Sequence, residues 1–218
     1  MKIALRCSAL LTFLVFALLM TGGCQTTYYT VWEKLGKEKR HLLRDNVKKA
    51  SEEQKEATEQ FTDALTRMKE MYGFEGGNLE DIYDKLKADY DESEHRADAV
   101  HDRVAMVERI AKDLFSEWQS EIRQITSSKL RAQSSETLQA SKRQYARLHR
   151  AMKRAESRMD PVLDQFRDNV LFLKHNLNAT AIGTLKGEAG KIEVEVESLI
   201  ADMQASIAEA ESFLMTFK

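Results

Sequence analysis

Proline and glycine are scarce in this chain. Pro161 is the only proline among 218 residues, and there are nine glycines. These two residues are the strongest interruptions of a regular backbone, so their scarcity argues against a fold built from many short elements. Charged residues make up 31% of the chain. Few interruptions and many charges together predict long amphipathic helices instead of a compact mixed fold.

Long apolar runs are also missing, apart from one at the amino terminus. A short basic stretch opens the chain, residues 7–20 are almost wholly apolar, and small residues at 21–23 precede Cys24. The apolar run is too short to cross a bilayer, and the small residues are typical of a cleavage site. The pattern predicts a secretory signal peptide over residues 1–23.

The cysteine at this cleavage site resembles a bacterial lipobox, although Thr21 stands where leucine is usual. In that resemblance Cys24 is acylated, and the chain is anchored by three acyl chains. One acyl chain binds a membrane only marginally, whereas two or more bind stably. Gln25 follows instead of the aspartate that resembles an inner-membrane retention signal, which favours the periplasmic face of the outer membrane. A plain cleavable signal without lipid is the alternative.

The predicted mature chain keeps a single cysteine and has no excess of positive charge. Cys7 leaves with the signal peptide and Cys24 is predicted to carry lipid, so no disulfide is expected in this exported protein. Losing Lys2 and Arg6 takes the formal net charge from −2 to −4. Nucleic-acid binding needs a basic surface, so we expect no nucleic acid among the partners.

The start of the mature chain carries three aromatic residues. Residues 24–30 are predicted to be a tether, and Tyr28, Tyr29 and Trp32 lie within it or directly after it. Aromatic rings favour the headgroup layer of a membrane, where a lipid on Cys24 would place them. The alternative is that these rings pack on the helices that follow.

A heptad pattern dominates the rest of the chain. Apolar residues alternate steps of three and four along four segments, the first from Leu43 to Met71 with a polar position at Gln54. Glycine-rich residues 73–77 end this segment, and Asn78 can cap the next helix. Helices of this length span roughly 60–70 Å, and a short loop folds them back antiparallel. We therefore predict that residues 31–218 form a single all-α domain, an elongated antiparallel bundle of four long helices with coiled-coil packing.

Two boundaries stay open in the sequence, and a third region is interpreted as a turn. Residues 126–141 are polar and rich in serine, which fits either a turn or a weak stretch. Asp160 and Pro161 interrupt the third heptad segment, which fits either a kink or a fresh helix start. Residues 176–190 contain two asparagines and three glycines, and we interpret them as the second turn region.

Three groups of residues form a recognisable combination. They are Tyr28-Tyr29 with Trp32-Glu33-Lys34-Leu35-Gly36, Gln60-Phe61 with Ala64-Leu65, and Leu173-Lys174-His175-Asn176-Leu177-Asn178. Together they resemble the domain-of-unknown-function family 2959, made of mostly proteobacterial proteins. The resemblance covers essentially the whole mature chain, but it implies fold and compartment only, because the family has no assigned activity. Some members carry a DNA-repair ATPase label, which the residues here contradict.

Motifs for catalysis are missing from the sequence. A phosphate-binding loop needs two glycines five positions apart, then lysine and serine or threonine; Gly190-Lys191 is followed by Ile192, and position 185 is leucine. Acidic and histidine residues crowd residues 91–102 and could line up for a divalent ion, but such runs on heptad helices are usually solvated. Five scattered histidines give no nucleophile–base pair. We expect no enzyme activity, no cofactor and no metal.

The best candidate for a specific contact is the stretch 174–178. Lys174, His175, Asn176 and Asn178 could form a polar patch that binds a partner, while Leu173 and Leu177 stay in the core. The alternative is structural, because asparagine and histidine side chains also cap helix ends.

The sequence therefore favours a non-enzymatic scaffold or adaptor, lipid-anchored in the cell envelope, that presents a long helical surface to an unidentified envelope protein. Homo-oligomer formation stays open. The alternative is a membrane-remodelling or envelope-stress coiled coil that lies flat on the membrane and needs a continuous basic stripe. Six basic residues between Arg143 and Arg158 spread around their helix as well as along it, so they favour this alternative only weakly.

Overall fold

A computed structural model describes residues 39–73 and 78–217, without the side chain of Ala179. The chain divides into two units, Met1–Leu42 and Leu43–Lys218. Of the first unit only residues 39–42 are described. The predictions for the signal peptide, for Cys24, and for the aromatic residues Tyr28, Tyr29 and Trp32 lie outside the described residues.

Four helices account for nearly all of the described residues. They are α1 (Lys39–Tyr72), α2 (Leu79–Gln124), α3 (Ser128–His175) and α4 (Ala179–Thr216). The described ranges contain no strand. The prediction of an all-α bundle of four long helices is confirmed, and at about 1.5 Å per residue the longest helix, α3, extends for about 70 Å.

Neighbouring helices in the Leu43–Lys218 unit run antiparallel and pack in the order α1, α2, α3, α4, with α4 returning to α1. Side-chain contacts between consecutive pairs establish this order: Gln60–Ser93 (3.3 Å), Trp118–Ser134 (3.0 Å), Arg147–Glu209 (3.9 Å) and Lys55–Glu211 (3.3 Å). Across the diagonal, the rings of Phe61 and Phe166 lie 6.1 Å apart. This is the up-down-up-down arrangement that short connections favour.

The heptad pattern correctly predicts most of the core. Every predicted core position of α1 from Leu43 to Met71 is buried, and so is every one of α4 from Ile192 to Phe217. Gln54, the one polar position in the first segment, has no exposed surface. Leu177 is the clear error, because it is 43% exposed. Helix α3 ends at His175, so the helical spacing that would carry residue 177 into the core stops two residues too early.

The second connection is much shorter than the serine-rich stretch suggested. Only residues 125–127 separate α2 from α3, and the Ser127 side chain accepts a hydrogen bond from the Leu130 amide at 3.4 Å. Leu138 is 1% exposed and the Trp118 indole donates to Ser134. Packing against α2 therefore holds residues 128–141 in a helix that their composition alone supports weakly.

Pro161 lies inside α3, which continues through it. Two nearby core residues, Met159 and Val162, are 0% and 2% exposed. Continued burial of the core face offsets the hydrogen bond that proline removes. The structure thus decides against a fresh helix start at Asp160.

The third connection is also shorter than expected, because only residues 176–178 are non-helical. Gly183, Gly187 and Gly190 lie within α4, so interpreting 176–190 as a turn region was wrong. A Cβ atom at any of these glycines would meet nothing within 4 Å. Buried apolar neighbours such as Ile182 and Leu185, each 5% exposed, hold this segment in the helix although glycine disfavours it.

Candidate partner-binding site at the α3–α4 turn

The two asparagines of the predicted patch are helix caps. The Asn176 amide donates to the Leu173 carbonyl at 3.0 Å, and its side chain donates to the Phe172 carbonyl at 2.8 Å. The Asn178 side-chain oxygen accepts from the Ala181 amide at 3.0 Å. These bonds satisfy backbone groups that helix ends leave without partners. The contacts of Asn176 and Asn178 are therefore those of helix caps, which is the structural alternative to a partner-binding patch.

Lys174 and His175 are placed differently. Both side chains are exposed in the last turn of α3, whereas Leu173 just before them is 1% exposed and belongs to the core. Basic residues at this position interact favourably with the negative end of the helix dipole. Their outward placement also leaves them accessible to a partner.

Two exposed leucines lie beside these basic residues. Leu171 is 49% exposed and Leu177 is 43% exposed. Leu171, Lys174 and His175 share one face of α3, because residues three and four positions apart lie together on a helix. We call Leu171, Lys174, His175 and Leu177 the turn patch. Sequence reasoning missed Leu171; its position directly after the core residue Val170 places it off the heptad seam and could have revealed it.

The turn patch has the chemistry of a binding surface. It offers two apolar side chains, one ammonium group and one imidazole, all accessible from solvent. A small cavity lies between α1, α2 and α3, lined by residues that include Met68, Asp89 and Asn169, but its volume of about 10 Å³ holds at most one water molecule. The patch therefore suits a protein surface better than a small molecule.

Histidines on the α2–α3 interface contact carboxylates of the facing helix. His101 Nδ1 lies 3.1 Å from Glu156 Oε1, and its Nε2 lies 3.2 Å from Asp160 Oδ1. His149 Nε2 lies 2.6 Å from Glu108 Oε1. Each helix contributes a histidine and a glutamate seven positions apart, so the two contacts are related by the antiparallel pairing. The sequence placed His101 on a solvated face, whereas it is half-buried against α3.

These polar contacts have electrostatic consequences for neighbouring groups. Lys153 pairs with Glu156 at 2.5 Å, and this hydrogen bond raises the pKa of Lys153. Burial, with a smaller contribution from Glu108, raises the pKa of Tyr145, whose ring stacks on His149 at 5.6 Å. Within residues 39–73 and 78–217, no group of three histidine, cysteine or carboxylate side chains could hold a metal ion.

Residues 28–217 match the family described as "Protein of unknown function (DUF2959)". The chain belongs to this family. The match covers both the turn patch and the α2–α3 interface, and it confirms the resemblance drawn from the sequence.

No curated protein and no solved structure matches the chain. Among the described residues of this family member, none of the helices is long and apolar enough to cross a membrane.

Proposed function

We propose that this protein is a non-enzymatic, lipid-anchored scaffold or adaptor on the periplasmic side of the bacterial cell envelope. Acylation of Cys24 would attach it to a membrane, with the outer membrane favoured by Gln25. The helical bundle would then hold a protein partner at a distance from the bilayer. The partner is an unidentified envelope protein.

The observation that carries this proposal is the turn patch at the far end of the bundle. The Leu43–Lys218 unit begins at Leu43, and Arg103 contacts Asn46 near this beginning at 3.3 Å. The α3–α4 turn lies at the opposite end. Arg44 donates a hydrogen bond to the Phe217 carbonyl at 3.1 Å, and Phe213 packs on Tyr145 of α3, which lies 30 residues before His175. About 45 Å of helix therefore separates the exposed leucines and basic groups of the turn patch from the end where the chain enters the unit.

The alternative, a bundle lying flat on the membrane, is weakened by ion pairs along α3. Of the basic residues between 143 and 158, four pair with carboxylates: Arg147 with Glu209, Arg154 and Arg158 with Asp202, and Lys153 with Glu156. A basic side chain that faces a carboxylate contributes little to binding an anionic membrane. Helix α3 therefore does not present a continuous basic stripe.

Attachment is tested by replacing the acylated cysteine. Cys24→Ala should abolish palmitate labelling and release the protein from the membrane fraction, whereas Cys7→Ala should leave both unchanged. Palmitate incorporation into the Cys24→Ala variant would contradict the anchor.

Partner binding is tested by crosslinking in cells. A photoreactive amino acid replacing Leu171 should capture a discrete partner, and the same group at Arg143, exposed on α3 far from the turn patch, should not. Lys174→Ala with His175→Ala should reduce capture without a change in thermal stability. Equal capture from both positions, or unchanged capture by the double variant, would overturn the turn patch as the binding site.

A further inference from the structure

The α2–α3 connection ends in a basic tip that also exposes an apolar side chain. Arg123, Lys129 and Arg131 are all exposed around the turn at residues 125–127. Leu130 between them is 57% exposed. We call residues 123–131 the hairpin tip. From residue 122 to residue 135 the sequence contains these three basic residues and no carboxylate.

The hairpin tip lies at the end of the Leu43–Lys218 unit where the chain enters. Beyond the Arg103–Asn46 contact, α2 continues for 21 residues to Gln124, which is about 30 Å of helix. The ring of Phe213 near the end of α4 packs on Tyr145 at 6.5 Å, and α3 begins 17 residues before Tyr145. Because α4 ends three residues after Phe213, at Thr216, the hairpin tip reaches about 20 Å past the end of α4.

The opposite end of the same unit carries charges of both signs. Helix α2 begins there, and its first turns carry Glu80, Asp81 and Asp84 followed by Lys85 and Lys87. The hairpin tip, in contrast, lies in a stretch with three basic residues and no carboxylate. An anionic surface is therefore attracted more strongly to the hairpin tip than to the start of α2.

We propose that the hairpin tip contacts the anionic phospholipid surface of the membrane. Arg123, Lys129 and Arg131 would lie against headgroup phosphates, and Leu130 would enter the interfacial layer. Each basic residue near an anionic surface strengthens binding about fivefold, and an inserted leucine adds buried apolar area. This inference deepens the proposed function and rests on it, because it concerns how the anchored bundle is oriented.

The distance along the chain permits this contact. Fifteen positions separate Cys24 from Lys39, where α1 begins, and a chain of that length spans at most about 50 Å when extended. This upper limit is longer than the roughly 30 Å by which α2 extends past the Arg103–Asn46 contact near the start of the unit. A lipid on Cys24 and the hairpin tip can therefore reach the same bilayer, which leaves the turn patch pointing away from it.

The experiment measures membrane depth at one position of the full chain. An environment-sensitive fluorescent amino acid replaces Leu130, and in a matched control it replaces Leu177, which is 43% exposed at the other end. The purified protein is reconstituted into phosphatidylcholine vesicles that carry a spin-label quencher, with or without about 30 mol% phosphatidylglycerol to supply anionic headgroups. Quenching should occur at position 130 with anionic lipid and be absent at position 177. No quenching at position 130, or equal quenching at both, overturns the proposal.

Charge variants test the chemistry of the contact. Arg123→Gln, Lys129→Gln and Arg131→Gln together should lower the equilibrium constant for contact, obtained from quenching at position 130, on the order of 100-fold. Lys85→Gln, Lys186→Gln and Lys191→Gln remove three exposed lysines from the other half of the unit and should leave this equilibrium constant unchanged. An equal loss in both triple variants would show a general charge effect and overturn the proposal.

A measurement without any substitution guards against misfolded variants. Raising the ionic strength shortens the screening length from about 10 Å at 0.1 M to about 3 Å at 1 M, so quenching at position 130 should fall sharply. Persistence at high salt would overturn the headgroup contact. The quenching measurements do not depend on acylation, whereas palmitate labelling tests only the lipid anchor. Failure of the proposed hairpin-tip contact can therefore be distinguished from failure of the proposed lipid anchor.

Discussion

Gln54 offers the sharpest test of the packing argument. Its side chain has no exposed surface, and neither Nε2 nor Oε1 has a hydrogen-bond partner within the protein. The register set by the Thr58–Met203 and Arg44–Phe217 contacts places Ser206 at the same level, and the Ser206 hydroxyl is also buried without a partner. A polar residue on a helical seam fixes register at a cost in stability.

Gln54→Leu should therefore stabilise the protein. The two side chains are similar in size, so the change removes a buried amide with little change in packing. A buried amide without hydrogen bonds costs about 1–3 kcal/mol, and a gain of 1 kcal/mol raises Tm by about 2–4 °C in a chain of this length. We expect Tm to rise by about 2–12 °C, measured by circular dichroism together with urea unfolding.

Gln60 on the same helix is the matched control. Its side chain donates to the Asp89 carbonyl at 3.2 Å and to the Ser93 hydroxyl at 3.3 Å. Gln60→Leu removes these bonds and should destabilise by about 0.5–1.5 kcal/mol. Opposite signs for the two substitutions would confirm the reasoning. A fall in Tm for Gln54→Leu would refute it, because the folded protein would then satisfy the Gln54 amide in some way.

Three further predictions concern the turn patch, the caps and a buried tyrosine. Leu173→Ala should destabilise by about 2–5 kcal/mol, as expected for a core leucine, whereas Leu177→Ala, at an exposed position, should change stability by no more than about 0.5 kcal/mol; equal losses in urea unfolding would contradict their different burial. Asn178→Ala should cost about 0.5–2 kcal/mol through loss of the α4 cap, with Lys174→Ala nearly neutral, and a neutral Asn178→Ala would argue against the cap. Burial raises the pKa of Tyr72 to about 12, above its value of about 10 in the unfolded chain. The stability that the protonated Tyr72 side chain contributes is therefore present below pH ~10 and is lost as the pH rises towards ~12. Tyr72→Phe should flatten this alkaline loss in urea unfolding followed from pH 9 to 11, and an unchanged slope would count against the burial.

The helices and most core residues of the bundle were predictable because the heptad spacing that specifies them lies within each helix. Steps of three and four place one face of each helix inward, whatever the helix packs against. The burial of Leu43, Phe61 and Met203 follows from this rule. Asn78 was likewise expected to cap α2, and its side chain accepts from the Glu80 amide at 3.1 Å.

The helix ends were less predictable because tertiary packing competes with composition there. The serine-rich start of α3 is helical because Leu138 and Ser134 pack on α2. The glycine-containing start of α4 is helical because its apolar residues reach the core. Propensity alone favours turns at both places, and burial of neighbouring residues overrides it.

The candidate site was predictable only in part. The sequence singled out residues 174–178, but it could not divide them into the caps Asn176 and Asn178 and the exposed Lys174 and His175. That division depends on where α3 ends, and the same boundary leaves Leu177 outside the core. Exposure of Leu171 depends on which face of α3 the neighbouring helices cover.

The sequence by itself therefore determined the helical class and most of the core residues, since heptad spacing acts within one helix. Only the tertiary structure decided which helices are neighbours, that His101 contacts carboxylates of α3, and that the basic hairpin tip extends past the end of α4. These features depend on the register between helices and on the lengths by which one helix outreaches another. Both are set by the sum of packing contacts along the whole bundle, which no single stretch of sequence contains.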